Sequence, residues 1–228
     1  MIVSASRRTD IPRFFFDWFL NRLKDGFVLV RNPMNRHQVS RIALTPEVVD
    51  CIGFWTKNPK PMLERLEDLE PYPFFVQFSI NSYGKDIESG LPRKRELLET
   101  FSTMVDRIGE DRMIWRYSPI LLSETYTLAY HLKYFEELAK RLEGATSLCR
   151  ISFLEMYAKI TARMKAMGIT DVPEQDKTEL VSSFVDIGKR YGIEVGGCGN
   201  LNLAEAGLEP VGCIDNRMIS RILGEDSN

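Results

Sequence analysis

Short apolar runs alternate with amphipathic stretches along the chain. Runs rich in Val, Ile and aromatic residues fall at 2–6 (IVSAS), 27–31 (FVLVR), 51–56 (CIGFWT), 74–80 (FFVQFSI), 113–117 (MIWRY), 148–153 (LCRISF), 193–198 (IEVGGC) and 211–214 (VGCI). Gly, Pro, Asn or Asp bound them, which is the punctuation of β-strands. Between these runs the apolar spacing changes to that of helices, predicted over 12–24, 58–69, 91–108, 125–142, 156–167 and 173–191. Pro12 follows Thr9 or Asp10 as cap, both expected at a helix start. In 125–142, Leu128, Leu132, Phe135, Leu138 and Leu142 recur three and four apart, a stripe suited to packing on a sheet.

Strand followed by helix, about eight times, is the pattern of a parallel α/β fold. Eight such units in 228 residues predict one compact (β/α)8 TIM-like barrel domain spanning 1–228. A doubly wound open sheet is the second architecture compatible with the alternation. Residues 34–43 (MNRHQVSRIA) interrupt the rhythm as an extended insertion, one form of which is a hairpin arm. The last two units are short, with little room for a helix in 201–207.

Ligands gather at the carboxyl ends of strands in parallel α/β folds, and those ends are polar here. They carry Ser6, Arg7, Arg8 and Asp10; Arg31 and Asn32; Lys57 and Asn58; Gln77, Ser79 and Asn81; Arg116; Ser152 and Glu155; Asn200; and Asp215. Side chains alternate along a strand, so Val76, Phe78 and Ile80 form one row and Gln77, Ser79 and Asn81 the other. The apolar row is expected to face helices and the polar row the barrel interior. The same parity groups Ser4 with Ser6 and Arg8, and Arg116 with Ser118. Buried polar groups are costly unless paired, so these rows predict a pocket for a small anionic ligand. A barrel interior whose polar groups satisfy one another is the competing reading. Glu155 and Asp10 are the candidate catalytic acids or bases, though Glu155 suits a salt bridge to an arginine equally well.

Other chemistries find less support. The two histidines, His37 in the irregular arm and His131 near the polar side of a predicted helix, do not suggest a Ser/His/Asp triad or a histidine metal site. Gly196-Gly197-Cys198-Gly199-Asn200 would let backbone approach a phosphate but lacks the lysine of a phosphate-binding loop. Trp55 and Trp115 are expected in the core. Cys51, Cys149, Cys198 and Cys213 match no zinc or cluster spacing and read as buried, reduced thiols, with no metal site.

Charge refines this picture. The chain has 30 Lys and Arg against 32 Asp and Glu, a net of −2 that argues against a general polyanion binder. Residues 1–41 nevertheless hold eight basic residues (Arg7, Arg8, Arg13, Arg22, Lys24, Arg31, Arg36, Arg41) against Asp10, Asp17 and Asp25, a net of +5, which leaves −7 for the remainder. A non-catalytic module that binds a phosphate-bearing partner such as nucleic acid through this region is therefore the alternative function. No apolar run reaches the 18 or so residues of a membrane span, and the N-terminus lacks a secretory pattern, so a cytoplasmic protein without a membrane partner is expected.

Several blocks resemble a known family. SASRRTDIP (Ser4 to Pro12), LVRNP (Leu29 to Pro33), VSR (Val39 to Arg41), VDCIGFWTKNP (Val49 to Pro59), WRYSPI (Trp115 to Ile120), CRISF (Cys149 to Phe153) and CID (Cys213 to Asp215) are similar, in order, to family 1848 of the domain-of-unknown-function series. Members of that family typically continue into a cysteine-rich tail resembling the cluster-binding cysteines of radical S-adenosylmethionine enzymes, whose catalytic domains are full or partial α/β barrels. The resemblance thus implies S-adenosylmethionine and an iron–sulfur cluster as cofactors where such a tail follows Asn228. The sequence here closes on Gly224-Glu225-Asp226-Ser227-Asn228, without three closely spaced cysteines to ligate a cluster. The family's usual aspartate after WRY is replaced by Ser118.

Overall fold

Every strand run expected from 2–6 to 193–198 forms, but not all of them join one sheet. The computed structural model describes residues 1–6, 9–198, 206–212 and 214–224. Its strands are β1 (Ile2–Ala5), β2 (Phe27–Arg31), β3 (Val39–Ala43), β4 (Cys51–Thr56), β5 (Phe74–Ser79), β6 (Met113–Ile120), β7 (Leu148–Phe153), β8 (Glu194–Gly197) and β9 (Glu209–Pro210). The helices are α1 (Ile11–Phe14), α2 (Phe16–Lys24), α3 (Lys60–Leu63), α4 (Lys94–Ile108), α5 (Leu128–Leu142), α6 (Ala158–Ala166), α7 (Glu174–Arg190) and α8 (Asn216–Leu223). The class is therefore α/β, as the alternation predicts.

The closed (β/α)8 barrel is not formed. Hydrogen-bonded neighbours follow the order β1-β4-β5-β6-β7-β8-β9, which leaves β1 and β9 as two ends, whereas a barrel pairs every strand on both sides. The order also follows the chain without reversal, so the switch point of a doubly wound sheet is missing. Two strands account for the difference. β2 pairs antiparallel with β3 in a separate two-stranded sheet, because only seven residues separate them and a parallel crossover needs a dozen or more. The final strand comprises two residues, Glu209–Pro210, and precedes the run expected at 211–214.

Between β2 and β3, Asn32 Nδ2 donates to Gln38 Oε1 at 2.7 Å while Asn32 Oδ1 accepts from the Met34 amide. Asn35 Oδ1 accepts from the His37 amide. Asparagine side chains that mimic backbone turns thus make the expected arm a hairpin.

Two compact units divide the chain, Met1–Gln77 with Arg217–Asn228 and Phe78–Asn216. In the first, β1 lies parallel to β4 with Ile2 opposite Cys51. Phe54 of β4 meets Phe16, Phe19 and Phe74 edge-on at 5.5–6.1 Å, a geometry that suits the ring quadrupole. The predicted helix over 12–24 is broken at Phe15, where ψ turns to 24°. In the second unit, β6, β7, β8 and β9 are parallel neighbours. Trp115, Phe135 and Phe184 form a stack with centroid spacings of 4.7 and 4.0 Å. Trp115 is fully buried, and its Nε1 donates to the Ile80 carbonyl at 3.0 Å. Thr127 caps α5 by accepting from the Tyr130 amide, and Gly109, at a φ of +85° that favours glycine, ends α4.

Without a closed barrel, the polar row of β5 has no barrel interior to line. Val76, Gln77, Phe78, Ile80 and Asn81 are all buried, as expected of a parallel strand covered on both faces.

Candidate functional site

Among the described residues, the polar strand ends form separate local clusters in the two units. In the first unit Asp10 binds backbone amides. Its Oδ1 accepts from the Arg13 amide at 3.1 Å and caps α1, while Oδ2 accepts from the Lys57 amide at 2.8 Å. One carboxylate thus ties the loop after β1 to the end of β4. Burial raises its pKa, against the opposing effect of these amide bonds and of a Thr56 hydrogen bond. Lys57 enters this arrangement through its backbone. Asn58 Oδ1 accepts from the Lys60 amide at 3.2 Å, organising the start of α3. Arg7 and Arg8 lie outside the described residues.

Ser6 and Arg31 line a cleft of about 660 Å3 together with Phe15, Trp18 and Leu29. Asn32 belongs to the hairpin turn described above. Of the basic N-terminal residues, Arg13, Arg22 and Arg41 each make a contact close by in the sequence or hairpin. Arg13 covers the Phe14 ring, Arg22 pairs with Asp25 and Arg41 covers the Phe27 ring, each within its own neighbourhood.

In the second unit, Asn81 is a clamp on β6. Its Nδ2 donates to the Ser118 carbonyl at 2.9 Å, and its Oδ1 accepts from the Ser118 amide at 2.8 Å. A buried amide paired this fully is spent on the fold. Gln77 is buried in β5, and Ser79 is that strand's half-buried last residue. Asn200 lies outside the described residues.

Arg116, Ser118 and Ser152 do come together. Arg116 Nη2 donates to Ser118 Oγ at 3.4 Å, and Ser118 Oγ and Ser152 Oγ are 2.5 Å apart. The parallel pairing of β6 with β7 produces this chain of donors: Arg116 lies opposite Arg150, and the register shifts beyond Tyr117. Ser152 lines a cavity of about 280 Å3 with Glu155, Tyr157 and Cys198 at the carboxyl ends of β7 and β8. Tyr157 Oη donates to Glu155 Oε2, and that carboxylate raises the phenol's pKa. The alternative of a Glu155–arginine salt bridge is not what forms: the described partner of Glu155 is a phenol.

Arg150 is 2% exposed, and Asp215 is the carboxylate that answers it, at 3.2 Å, with Glu194 at 3.8 Å. Gly196 has its reason here. A Cβ on it would stand 2.8 Å from Arg150 Nη1 and 2.3 Å from Val211 Cγ2. Gly196 thus leaves room for the Arg150 guanidinium.

A network of tyrosines surrounds a histidine that the sequence pattern does not single out. His131, expected near the polar side of its helix, is fully buried. Its Nε2 donates to the Leu121 carbonyl at 2.8 Å, and in the neutral ring that burial favours, Nδ1 accepts from Tyr117 Oη at 2.8 Å. Ser82 Oγ then donates to Tyr117 Oη at 3.0 Å. Burial lowers the His131 pKa and raises that of Tyr117 well above the ordinary phenol value. Tyr83 Oη donates to the Pro119 carbonyl and accepts from the Leu121 amide. Tyr126 Oη donates to Asp86 and accepts from Gly84, with its pKa pushed up to about 12 by burial first and Asp86 second. These bonds fix the loops after β5 and β6, which border the Ser118 cluster. The cue in the sequence was the unusual tyrosine density of Tyr83, Tyr117, Tyr126 and Tyr130 around the strand ends.

The described cysteines are buried thiols. Cys51 and Cys149 are fully buried in different strands, Cys198 is a separate buried thiol, and Cys213 lies outside the described residues. Among the described residues no three His, Cys, Asp or Glu side chains gather to hold a metal ion. No described helix is long and apolar enough to cross a membrane. One protein-family model matches residues 2–228, nearly the whole chain. No curated protein matches it.

Proposed function

We propose that this chain, which belongs to the family described as Domain of unknown function (DUF1848), is an enzyme acting on a small anionic molecule at the carboxyl ends of β6, β7 and β8. The observation that carries this reading is the Arg116–Ser118–Ser152 chain beside a cavity. A guanidinium and two hydroxyls in sequence suit a phosphate or carboxylate, whose oxygens accept several bonds at once. Glu155, at the same cavity, would repel a second anionic group but accept a proton from a substrate hydroxyl or amine. The substrate class is therefore an anion that also carries a hydroxyl or amino group. Glu155 is the acid or base, and Tyr157 orients its carboxylate.

Titration with inorganic phosphate at constant ionic strength tests the anion subsite. Arg116→Ala should weaken phosphate binding about tenfold, the worth of one charge-assisted hydrogen bond, and Ser152→Ala should weaken it less. Glu155→Gln should strengthen binding by removing a nearby negative charge. Equal phosphate affinity in wild type and Arg116→Ala would overturn the reading.

A further inference from the structure

We propose that the first unit carries a second binding site, independent of the one above, that takes an extended acidic peptide as an added β-strand. The site is the cleft of about 660 Å3 between the loop after β1, the α1–α2 segment and β2. Four consecutive residues of β2, 28–31, line it. Side chains alternate across a strand, so a strand face would offer every second residue. An unbroken run of four places the edge of β2 on the cleft.

That edge is open. In the hairpin the Leu44 amide donates to the Gly26 carbonyl at 2.8 Å, and the Asn32 amide to the Gln38 carbonyl at 2.9 Å. Hydrogen-bonded pairs alternate along an antiparallel ladder. With Leu29 opposite Arg41, the amide and carbonyl of Leu29 therefore point away from β3. Among the described residues β2 has no other neighbouring strand, and neither group of Leu29 has a hydrogen-bond partner. Such an edge is a template for a further strand, whose backbone supplies affinity and whose alternate side chains fill pockets. The helical wall offers the apolar contacts: Phe15 is 48% and Trp18 46% exposed, with Leu29 60% exposed on the strand. Ser6, also on the lining, has a buried hydroxyl with no hydrogen-bond partner among the described residues. A peptide amide or carbonyl would satisfy it. A second copy of the hairpin is a poorer occupant, because its β2 would carry β3 into the space held by α1 and α2.

Charge selects the peptide. No carboxylate is among the described residues that line the cleft. Arg41, opposite Leu29, and Arg36, in the hairpin turn, are exposed and make no ion pair among the described residues. The field along the arm is therefore positive, and acidic residues flanking an apolar strand complement it.

Fluorescence anisotropy with labelled peptides tests strand addition. The parent probe is Glu-Val-Thr-Val-Thr-Val-Glu, and two further probes each carry one N-methyl group, on the central Val or on the Thr beside it. The native protein should bind the parent saturably at one site. An added strand turns only alternate amides towards β2. One methyl group should therefore weaken binding about tenfold, the worth of one hydrogen bond, and the other should leave it unchanged. Trp18→Ala should weaken the parent. Trp18 is exposed, so an unchanged melting temperature is expected; if the variant does melt early, Leu29→Gln serves as the apolar-wall variant. A probe with Lys in place of both Glu residues should bind more weakly, by a margin that shrinks with added salt. Non-saturable binding of the parent, or an affinity untouched by the wall variant, would overturn the site. Equal affinities of the two methylated probes would overturn strand addition, and a Lys probe that binds as tightly as the parent would overturn the acidic class.

Discussion

Tyr117 Oη donates to His131 Nδ1 across 2.8 Å inside the second unit, and both side chains are buried. The Leu121 carbonyl can only accept, so His131 Nε2 carries a proton, and in the neutral ring that burial favours Nδ1 is left to accept from Tyr117. A core histidine of this kind holds β6 to the loop that follows it.

The pH dependence of stability follows from that neutrality. Burial lowers the folded-state pKa of His131 below the ordinary imidazole value. The unfolded chain therefore takes up the proton first as the medium is acidified. The contribution of His131 is fully present above about pH 6.5 and is lost as pH falls from there to the folded value. Urea midpoints measured from pH 7.5 to 5.5 should decline in wild type. His131→Phe should show a smaller decline. It should also be less stable by about 2–4 kcal/mol at pH 7.5, since the Leu121 carbonyl and the Tyr117 hydroxyl lose their partner.

Asp10 contributes to stability through the two amides its carboxylate accepts. Asp10→Ala removes the acceptor for the Arg13 and Lys57 amides, a loss of about 1–2 kcal/mol. Asp10→Asn retains one acceptor oxygen and should fall between the two. Denaturant unfolding of the three proteins checks the order; stability identical in all three would show that the cap contributes nothing.

Arg150 and Gly196 should behave as one unit. Asp215→Ala leaves a buried guanidinium with only the more distant Glu194 and should cost about 3 kcal/mol. Gly196→Ala pushes a methyl against Val211 and Arg150 and should cost about 1–3 kcal/mol. Because both changes disturb the same guanidinium, their combined cost should be less than the sum, which a double-mutant cycle in urea measures.

What the sequence revealed follows from which interactions are local. The change from strand to helical spacing located β1, β2 and β4 to β8 and the main helices, because side-chain period is a property of each segment. Strand partnership is not local. FVLVR reads like any sheet strand, yet the short Asn-rich turn after it sends β2 into a hairpin with β3 and removes it from the parallel sheet. At the site, parity correctly paired Arg116 with Ser118, which lie two residues apart on one strand. It could not show that Asn81 spends its amide on Ser118, or that Asp215, far along the chain, neutralises Arg150. His131 was misplaced because its helix face was judged from its own polarity rather than from the tyrosine that faces it.

A crystal of the protein soaked in selenate, read by selenium anomalous scattering, tests the proposed anion subsite most directly. A peak is expected within hydrogen-bonding reach of Ser152 Oγ and the Arg116 guanidinium, lost in Arg116→Ala. No peak at this position in wild type, or one that persists unchanged in Arg116→Ala, would contradict it.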